Sequence, residues 1–319
     1  DASALPSGNR IQLDNIDFAS IIGATTLSGG AGNNVVSADD AAQTIVLGAG
    51  DDELHGGGGR DLVGSQGGDD LIYGDAGDDR LFGGEGDDTL DGGSGVDIAR
   101  FALDAGEATF RYADDGSLIV NAGSLGSDTL KGIELLRFDD RVMLAKAPAL
   151  IEPSGFDEAF YLAANPDVAA AVAAGDIPSG EWHYQHYGAD EGRLGDPAAM
   201  NFDRALYLAA NPDVAAAVAA GDIDAFAHYR DYGTAEGRSP NALFDERGYR
   251  EANADVDAAI QRGELDSGYQ HYQAWGWQEG RDPSAWFDQS EYLEANPDIA
   301  EASVEPLGHY LRSGYDEGR

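Results

Sequence analysis

Six aspartates recur at intervals of nine residues in the first half of the chain, and they are its clearest candidates for chemistry. They are Asp52, Asp61, Asp70, Asp79, Asp88 and Asp97. If alternate members stack on successive coils, three carboxylates line each flank, and stacked carboxylates repel one another unless a cation lies between them. Ligation by carboxylates and loop carbonyls alone is typical of calcium. The spacing of these residues is too open for octahedral magnesium.

The aspartates belong to a nonapeptide unit that predicts how they are positioned. Six consecutive units span 47–55, 56–64, 65–73, 74–82, 83–91 and 92–100, and most of them fit the pattern G-G-x-G-x-D-x-U-x, in which U is apolar. The sixth position is aspartate in all six. The U positions hold Leu54, Val63, Ile72, Leu81, Leu90 and Ala99. Three residues around U predict a short strand with one inward side chain, and the glycines supply the positive φ that reverses the chain. Two units therefore make one coil of two strands and two turns.

These units resemble the RTX, or haemolysin-type, calcium-binding nonapeptides. The resemblance implies a right-handed parallel β-roll, in which the aspartates and the carbonyls of Gly-rich turns bind several structural Ca²⁺ ions. The turn glycines that it carries over are Gly48, Gly50, Gly57, Gly59, Gly68, Gly77, Gly84, Gly86, Gly93 and Gly95. It also implies type I secretion and an extracellular or cell-surface location, where calcium is plentiful enough to fold such a roll.

Several units depart from the pattern. The unit 65–73 begins with Ser65 instead of glycine, which predicts a weaker site. Three earlier units keep an apolar eighth residue, and they span 20–28, 29–37 and 38–46. One of them carries Asn34 in place of the aspartate and another has no glycine. We therefore expect coils of the same roll that bind calcium poorly or not at all.

Residues 101–147 predict a β-rich cap on the last coil. Alternation typical of strands covers 101–103, 108–112, 117–121 and 129–138. A cap of this kind often follows RTX rolls, and it would cover the open edge of the last coil.

A second, longer repeat occupies the rest of the chain in four copies, which span 156–201, 202–243, 244–286 and 287–319. Each copy opens with Phe-Asp, passes through Asn-Pro-Asp (Asn-Ala-Asp in the third) and His-Tyr, and closes on Glu-Gly-Arg. Each predicts three short helices, and in the first copy Asn165 would cap the second helix with Pro166 at its first position. An all-α tandem array follows, in which neighbouring copies bury one another's apolar faces.

Residues 148–155, with two prolines, predict a linker.

One histidine stands at the same position of every copy: His183, His228, His271 and His309. The set could form a metal or sugar site in each copy, but we favour half-buried residues that tie neighbouring helices together. The closing arginine is expected to pair with an aspartate of its own or the next copy. All four tryptophans lie in this half. Trp182, Trp275 and Trp277 are candidates for stacking on sugar rings, and Trp277 is expected to be the most exposed.

Composition excludes several functional classes. The 319 residues contain 59 acidic and 19 basic side chains, a net charge of −40, which excludes a general nucleic-acid binder and disfavours docking on an anionic membrane. No apolar run is long enough to span a bilayer. The absence of cysteine excludes disulfides, thiolate zinc sites and a cysteine nucleophile. No catalytic motif is present, so we expect no enzymatic activity in this part of the protein.

The sequence thus predicts a multi-domain β plus α protein. A β-roll with its cap covers residues 1–147, and an all-α tandem repeat domain covers 156–319. Three functions stay open. The first is a secreted adhesin, surface-layer or matrix protein whose helical repeats contact surface polysaccharide or another protein. The second is an accessory folding, secretion or targeting region of a secreted enzyme whose catalytic domain precedes Asp1, and the third is a structural spacer.

Overall fold

The computed structural model describes residues 10–13, 19–20, 22–24, 26–147, 150, 156–188, 191, 193, 195 and 201–319. The chain divides into two compact units between Lys146 and Ala147. Apart from Leu150, the predicted linker 148–155 lies outside the described residues. Strands build the N-terminal unit and short helices build the C-terminal unit.

The strands of the N-terminal unit are short, and most contain three residues. They are β1 (Arg10–Leu13), β2 (Ala19–Ser20), β3 (Thr26–Gly29), β4 (Val35–Ser37), β5 (Thr44–Val46), β6 (Glu53–His55), β7 (Gly58–Gly59), β8 (Leu62–Gly64), β9 (Leu71–Tyr73), β10 (Ala76–Gly77), β11 (Arg80–Phe82), β12 (Thr89–Asp91), β13 (Ile98–Arg100), β14 (Thr109–Tyr112), β15 (Leu118–Asn121), β16 (Ser127–Lys131), β17 (Leu135–Arg137) and β18 (Val142–Leu144). Two 3₁₀ turns, Ala105–Glu107 and Gly123–Leu125, separate strands of the cap.

These strands form two long sheets in which chain order alternates between the sheets, as a solenoid requires. One sheet has the order β1-β3-β5-β8-β11-β13-β17-β18, and the other has the order β14-β15-β16-β12-β9-β6-β4-β2. Pairing between nonapeptides is parallel, so that Leu54 lies beside Ile72 and Val63 beside Leu81. The predicted parallel β-solenoid is confirmed. Its first strand, β1, precedes the earliest unit that the repeat pattern indicated.

A column of apolar side chains fills the solenoid. The U residues of the six units are fully buried, and so are their counterparts upstream: Leu54, Val63, Ile72, Leu81, Leu90, Ala99, Leu27, Val36 and Ile45. Because a three-residue strand points only its central side chain inward, each coil contributes two such side chains to the core. Two core side chains per eighteen residues bury too little apolar surface to offset the cost of ordering the backbone. The roll therefore needs a second source of stability.

The cap continues both sheets before it ends them. Strand β16 pairs in parallel with β12 and antiparallel with β15, while β17 pairs in parallel with β13 and antiparallel with β18. The predicted strand 129–138 is divided at Gly132, where φ is +53°. The predicted strand 101–103 is wrong. That segment is irregular, and Phe101 instead packs on Phe138 with 5.4 Å between the ring centroids.

Three short helices recur in each copy of the second repeat, as predicted. They are α1 (Glu158–Ala164), α2 (Pro166–Ala174), α3 (Gly180–His183), α4 (Arg204–Ala210), α5 (Pro212–Ala220), α6 (Ala225–His228), α7 (Glu246–Ala252), α8 (Ala254–Gln261), α9 (Gly268–His271), α10 (Gln289–Ala295), α11 (Pro297–Ala302) and α12 (Pro306–His309). Each third helix continues into a π-helical turn, which the sequence pattern did not predict. The turns are Tyr184–Gly188, Tyr229–Gly233, Tyr272–Gly276 and Tyr310–Gly314.

The π-helical turns end where only glycine fits. A Cβ on Gly188 would overlap the Tyr161 hydroxyl, and a Cβ on Gly233 would overlap that of Tyr207. The tyrosine belongs to the first helix of the same copy, so each copy closes on itself through this contact. In the second copy the tyrosine lies in a buried cluster whose members are Phe202, Tyr207, Val214, Ala225 and Tyr229.

The helix starts in each copy are set by side chains that accept backbone hydrogen bonds. The aspartate of the opening Phe-Asp caps the first helix: Asp157 accepts the N–H of Phe160, and Asp245 that of Gly248, both at 2.9 Å. Asn165 occupies the cap position of α2, but the predicted side-chain cap is wrong, since that side chain makes no capping hydrogen bond. Its amide instead donates to the Tyr161 carbonyl at 2.7 Å.

Replacing Gly77 by alanine should destabilise the solenoid, whereas the same change at Gly106 should not. Gly77 has φ +134°, and its Cβ would overlap the Gly59 carbonyl oxygen of the neighbouring coil. Gly106 has no atom within 4 Å of an added Cβ. We expect Gly77→Ala to cost at least about 1–3 kcal/mol of unfolding free energy, measured by thermal melting of the β signal in circular dichroism. Equal melting temperatures for the two variants would contradict this assignment of the turns.

Candidate metal centre

The repeat aspartates stack in two ladders, one on each flank of the solenoid. In each ladder the backbone N–H of one aspartate donates to Oδ1 of the aspartate eighteen residues later. The distances are 2.7 Å from Asp52 to Asp70, 2.9 Å from Asp70 to Asp88, 2.7 Å from Asp61 to Asp79 and 2.8 Å from Asp79 to Asp97. The ladders hold every carboxylate in a fixed orientation, and they place the six aspartates on two flanks as the spacing predicted.

The second carboxylate oxygen of five of these residues has no partner. The Oδ2 atoms of Asp61, Asp70, Asp79, Asp88 and Asp97 are buried and accept no hydrogen bond from the described part of the chain. An unsatisfied buried acceptor costs about 1–3 kcal/mol, and a charged one costs more. Rows of such oxygens are tolerated in a folded protein when a cation neutralises them, so these residues fit a metal site.

Burial raises the pKa of these carboxyls. The pKa rises to about 6 for Asp61 and Asp88 and to about 7 for Asp70 and Asp79. The pKa of Asp97 lies well above the usual value, mainly because the carboxyl is buried and also because Glu134 repels its charge. Near neutral pH the metal-free ladders therefore hold protons that a divalent cation would displace.

Turn carbonyls are the remaining candidate ligands. Nine of the ten predicted turn glycines have φ between +92° and +137°, and Gly48 is the exception. The turns of successive coils lie so close that a Cβ on Gly86 would overlap the Gly68 carbonyl oxygen. No group of three or more Asp, Glu, His or Cys side chains that could hold a metal occurs within the described ranges. Ligation would thus combine the ladder carboxylates with turn carbonyls, a set of hard oxygen donors that suits calcium.

Comparison with known families agrees with this geometry. The family of the RTX calcium-binding nonapeptide repeat matches the chain in four copies, over residues 22–42, 28–63, 37–71 and 64–99. Residues 22–99 are RTX repeats. They form a structural calcium-binding module, and the match includes the upstream units that lack the aspartate. No curated protein matches the chain.

Asp52 differs from the other aspartates of the RTX repeats because protein donors satisfy both of its oxygens. Its Oδ1 accepts the backbone N–H of Asn34 at 2.7 Å and the side-chain amide of Asn34 at 2.8 Å. Its Oδ2 lies 3.2 Å from the Ser65 hydroxyl, which shares its single proton between Asp52 and the Gly48 carbonyl at 2.9 Å. Both departures from the repeat pattern thus donate a hydrogen bond to Asp52. Asp52, which the sequence grouped with the other five as a calcium ligand, thus differs from them in having protein donors at both carboxylate oxygens.

Two acids outside the nonapeptides also join the ladders, and the repeat pattern did not reveal them. Asp128 Oδ1 accepts the N–H of Asp88 at 3.1 Å, and Glu134 Oε2 accepts that of Asp97 at 2.9 Å. Burial raises the pKa of Asp128 to about 7, as in the repeat aspartates. The available signal was the segment 126–130, which has the spacing G-x-D-x-U of a repeat unit at a different interval.

The four repeat histidines contribute to packing within their own copies. Each Nδ1 shares a hydrogen bond with the tyrosine of the first helix, at 2.9 Å for Tyr161–His183, 3.0 Å for Tyr207–His228, 2.9 Å for Tyr249–His271 and 2.7 Å for Tyr292–His309. Burial lowers the pKa of His271, which favours its neutral ring. The favoured interpretation as residues that tie helices together is confirmed.

The closing arginines pair with the Asn-Pro-Asp aspartate of their own copy. The nearest N–O distances are 2.9 Å for Arg193–Asp167, 2.8 Å for Arg238–Asp213, 2.8 Å for Arg281–Asp255 and 2.8 Å for Arg319–Asp298. The hydrogen bond from Arg238 lowers the pKa of Asp213 to about 2. Arg193 also donates to Asn165 Oδ1 at 2.9 Å. Each pair joins the end of its copy to the start of the second helix.

Exposure of the aromatic side chains differs from the prediction. Trp277 and Trp182 are partly buried, whereas Trp275 is 43% exposed. Tyr187 and Tyr232, which the sequence did not single out, are 52% and 61% exposed. The prediction that Trp277 is the most exposed tryptophan is wrong. None of the helices in the described ranges has the length and apolarity needed to cross a membrane.

The metal-free roll should gain stability as pH falls. A folded-state pKa of about 6 or 7, above the ordinary value of 3.8, means that the folded chain binds protons more tightly than the unfolded chain. This stabilisation is lost as pH rises through about 6 and 7. In EGTA the β signal in circular dichroism should therefore increase as pH falls through this window. Calcium should have less effect there, because protons compete for the carboxylates, and a calcium effect that does not depend on pH would contradict this.

Each pair of side chains that meet on successive coils is one rung of a ladder, and Asn34 and Asp52 form the first rung of theirs. Asn34→Asp should add a calcium requirement at this rung. The change replaces an amide donor by a second buried carboxylate beside Asp52, so the roll should be less stable in EGTA and bind more calcium by isothermal titration calorimetry. Asn33→Asp is the matched control, because Asn33 is exposed and its oxygen accepts the Asp51 N–H at 3.1 Å, as a carboxylate also can. If both variants bind calcium as the wild type does, Asn34 has no part in closing the ladder.

Proposed function

We propose that this chain is the non-catalytic, calcium-folded region of a bacterial protein exported by type I secretion. We further propose that its helical repeats bind a neutral polysaccharide outside the cell, as an adhesin, surface-layer or matrix component would. RTX repeats are typical of secreted bacterial proteins, and the partnerless buried carboxylates fit a fold that closes where calcium is available. The observation that carries the binding role is a set of exposed aromatic rings in the helical repeats.

The exposed rings occupy one position of the repeat. Tyr187, Tyr232 and Trp275 each follow the repeat histidine by four residues and lie at 52%, 61% and 43% exposure. Their ring centroids lie 5.7, 5.7 and 5.8 Å from those of the histidines. The histidine, which is hydrogen-bonded to the tyrosine of the first helix, packs against each of these exposed rings. Large aromatic side chains exposed at one position of a repeat are typical of a binding surface.

The chemistry of these rings favours sugar. An aromatic face stacks on the C–H face of a hexose, and neighbouring polar groups bond the hydroxyls. In the first copy the patch is larger, because Trp182 stacks on His186 at 4.3 Å and contacts the edge of Tyr187 at 5.8 Å. The net charge of −40 repels acidic polymers, so the geometry and the charge together favour a neutral polysaccharide.

The triple variant Tyr187→Ala, Tyr232→Ala, Trp275→Ala should lose polysaccharide binding. Ile223→Ala combined with Val304→Ala is the matched control, because these exposed side chains are aliphatic at 38% and 40% exposure. We expect at least about tenfold weaker binding of a neutral hexose polymer by the triple variant, which corresponds to about 1.4 kcal/mol, and no change for the control. Glycan arrays and affinity electrophoresis measure this, with helical circular dichroism as the check on folding.

Three outcomes would contradict the binding role. The wild-type chain could bind no neutral polymer, it could bind acidic polymers such as hyaluronan in preference, or the triple variant could bind as well as the wild type. Calcium-dependent folding of the RTX roll does not depend on these results, so the two parts of the proposal fail separately.

A further inference from the structure

The cap strands keep the register of the RTX roll. Strand β16 pairs with β12 so that Leu130 lies beside Leu90, and each leucine follows a ladder acid by two residues. Strand β17 pairs with β13 so that Leu136 lies beside Ala99. Asp128 therefore occupies the same ladder position relative to Asp88 as Asp88 occupies relative to Asp70, one coil earlier. Glu134 stands in the same relation to Asp97.

The hydrogen bonds around Asp128 repeat those of the preceding rung. Thr129 N–H donates to the Asp88 carbonyl at 2.8 Å, as Thr89 N–H donates to the Asp70 carbonyl at 2.8 Å. The Asp88 N–H donates to Asp128 Oδ1 across an interval of forty residues instead of eighteen. The longer interval arises because the β14–β15 hairpin intervenes in the sequence while the solenoid position is kept.

The turn before Asp128 is also that of a repeat unit. Gly126 has φ +112°, and its Cβ would overlap the Gly86 carbonyl oxygen, as a Cβ on Gly86 would overlap that of Gly68. Ser127 N–H donates to Asp87 Oδ1 at 2.8 Å, as the Asp87 N–H donates to the aspartate one coil earlier at 2.9 Å. The cap thus supplies a complete turn of RTX geometry on this flank.

The other flank reaches the same arrangement with a longer side chain. Leu135 N–H donates to the Asp97 carbonyl at 3.0 Å, and the Asp97 N–H donates to Glu134 Oε2 at 2.9 Å. A Cβ on Gly92 would overlap the Gly132 carbonyl oxygen, so the two turns lie in direct contact. Glutamate replaces aspartate here, and its extra methylene reaches the rung from a turn of different shape.

At the two rungs where the roll meets the cap, Asp88 and Asp97 each have one carboxylate oxygen without a hydrogen-bond donor from the described residues. The Oδ2 atoms of Asp88 and Asp97 belong to side chains that are 1% and 0% exposed, and neither accepts a hydrogen bond from the described residues. The next member of each ladder is a further acid, which accepts the backbone N–H of Asp88 or Asp97. At the opposite end the ladders finish on Asn34 and Gln43, and the Asn34 amide donates to the ladder. Gln43 donates to Asp61 through its backbone N–H, and its side-chain amide donates to Asp39. Asn34 and Gln43 carry no charge, whereas at the other end each ladder has a further acid, which increases the need for a cation.

We propose that Asp128 and Glu134 are calcium ligands, and that with Asp88 and Asp97 they form a further calcium site on each flank at the junction of roll and cap. The proposal rests on calcium binding by the RTX repeats and not on polysaccharide binding. Calcium then joins the cap to the last coil, so that roll and cap close together.

Asp128→Asn and Glu134→Gln in the full chain test the proposal, with Asp114→Asn, an exposed acid of the cap, as the matched control. Isothermal titration calorimetry should find one calcium ion fewer for each of the first two variants and no loss for the control. Each amide should also lower the melting temperature in calcium, because a ligand is lost, and raise it in EGTA, because one negative charge beside a buried carboxylate is removed.

A purely structural role predicts a different pattern. If the variants bind as many ions as the wild type, or if their melting temperatures fall equally in calcium and in EGTA, the proposal is wrong. If Asp128→Asn fails to fold, Glu134→Gln decides the question alone. Failure of both to fold in calcium would also overturn the proposal, since Asn34 shows that a rung accepts an amide.

Discussion

The structure depends on the stacking of buried carboxylates in two ladders along the RTX roll. Five of the six repeat aspartates use one carboxylate oxygen to accept a backbone N–H from the preceding coil, at 2.7–2.9 Å, and leave the other oxygen buried without a donor from the described residues. The first interaction aligns the coils, and the second makes the aligned state unfavourable until a cation binds. Because two core side chains per coil bury little apolar surface, this electrostatic condition determines whether the roll closes.

The ends of the ladders explain where the requirement for calcium begins and ends. At the first rung, Asn34 and Ser65 donate hydrogen bonds to Asp52, so protein donors take the place that a cation would have beside its carboxylate. At the last rung, Asp128 and Glu134 add carboxylates instead. The helical repeats pair some of their acids with arginines of the same copy, as Arg281 contacts Asp255 at 2.8 Å. We propose that the buried carboxylates of the roll require a cation, whereas the acids of the helical repeats are mostly at the surface and a few of them pair with arginines.

The sequence was sufficient for the features that repeat in register. A fixed nine-residue interval defined the strands, the buried U residues and the two flanks, because each unit repeats the same local geometry. Asp128 escaped this reasoning because a hairpin changed its interval from eighteen residues to forty, and only the three-dimensional pairing restores its place. The π-helical turns were missed because they arise from a tertiary contact between a glycine and a tyrosine hydroxyl. The exposure of Tyr187 and Tyr232 also depends on that packing, which the pattern of residue types does not encode.

The central claim is that calcium closes the RTX roll by neutralising its buried ladder oxygens while the helical repeats fold without it. Hydrogen–deuterium exchange of the full chain at neutral pH, in calcium and in EGTA, measures this most directly. We predict that the amides of the roll strands within residues 53–100 are protected in calcium and exchange rapidly in EGTA. The amides of the helices within residues 204–319 should exchange equally in both. Full protection of the roll strands in EGTA would contradict the account.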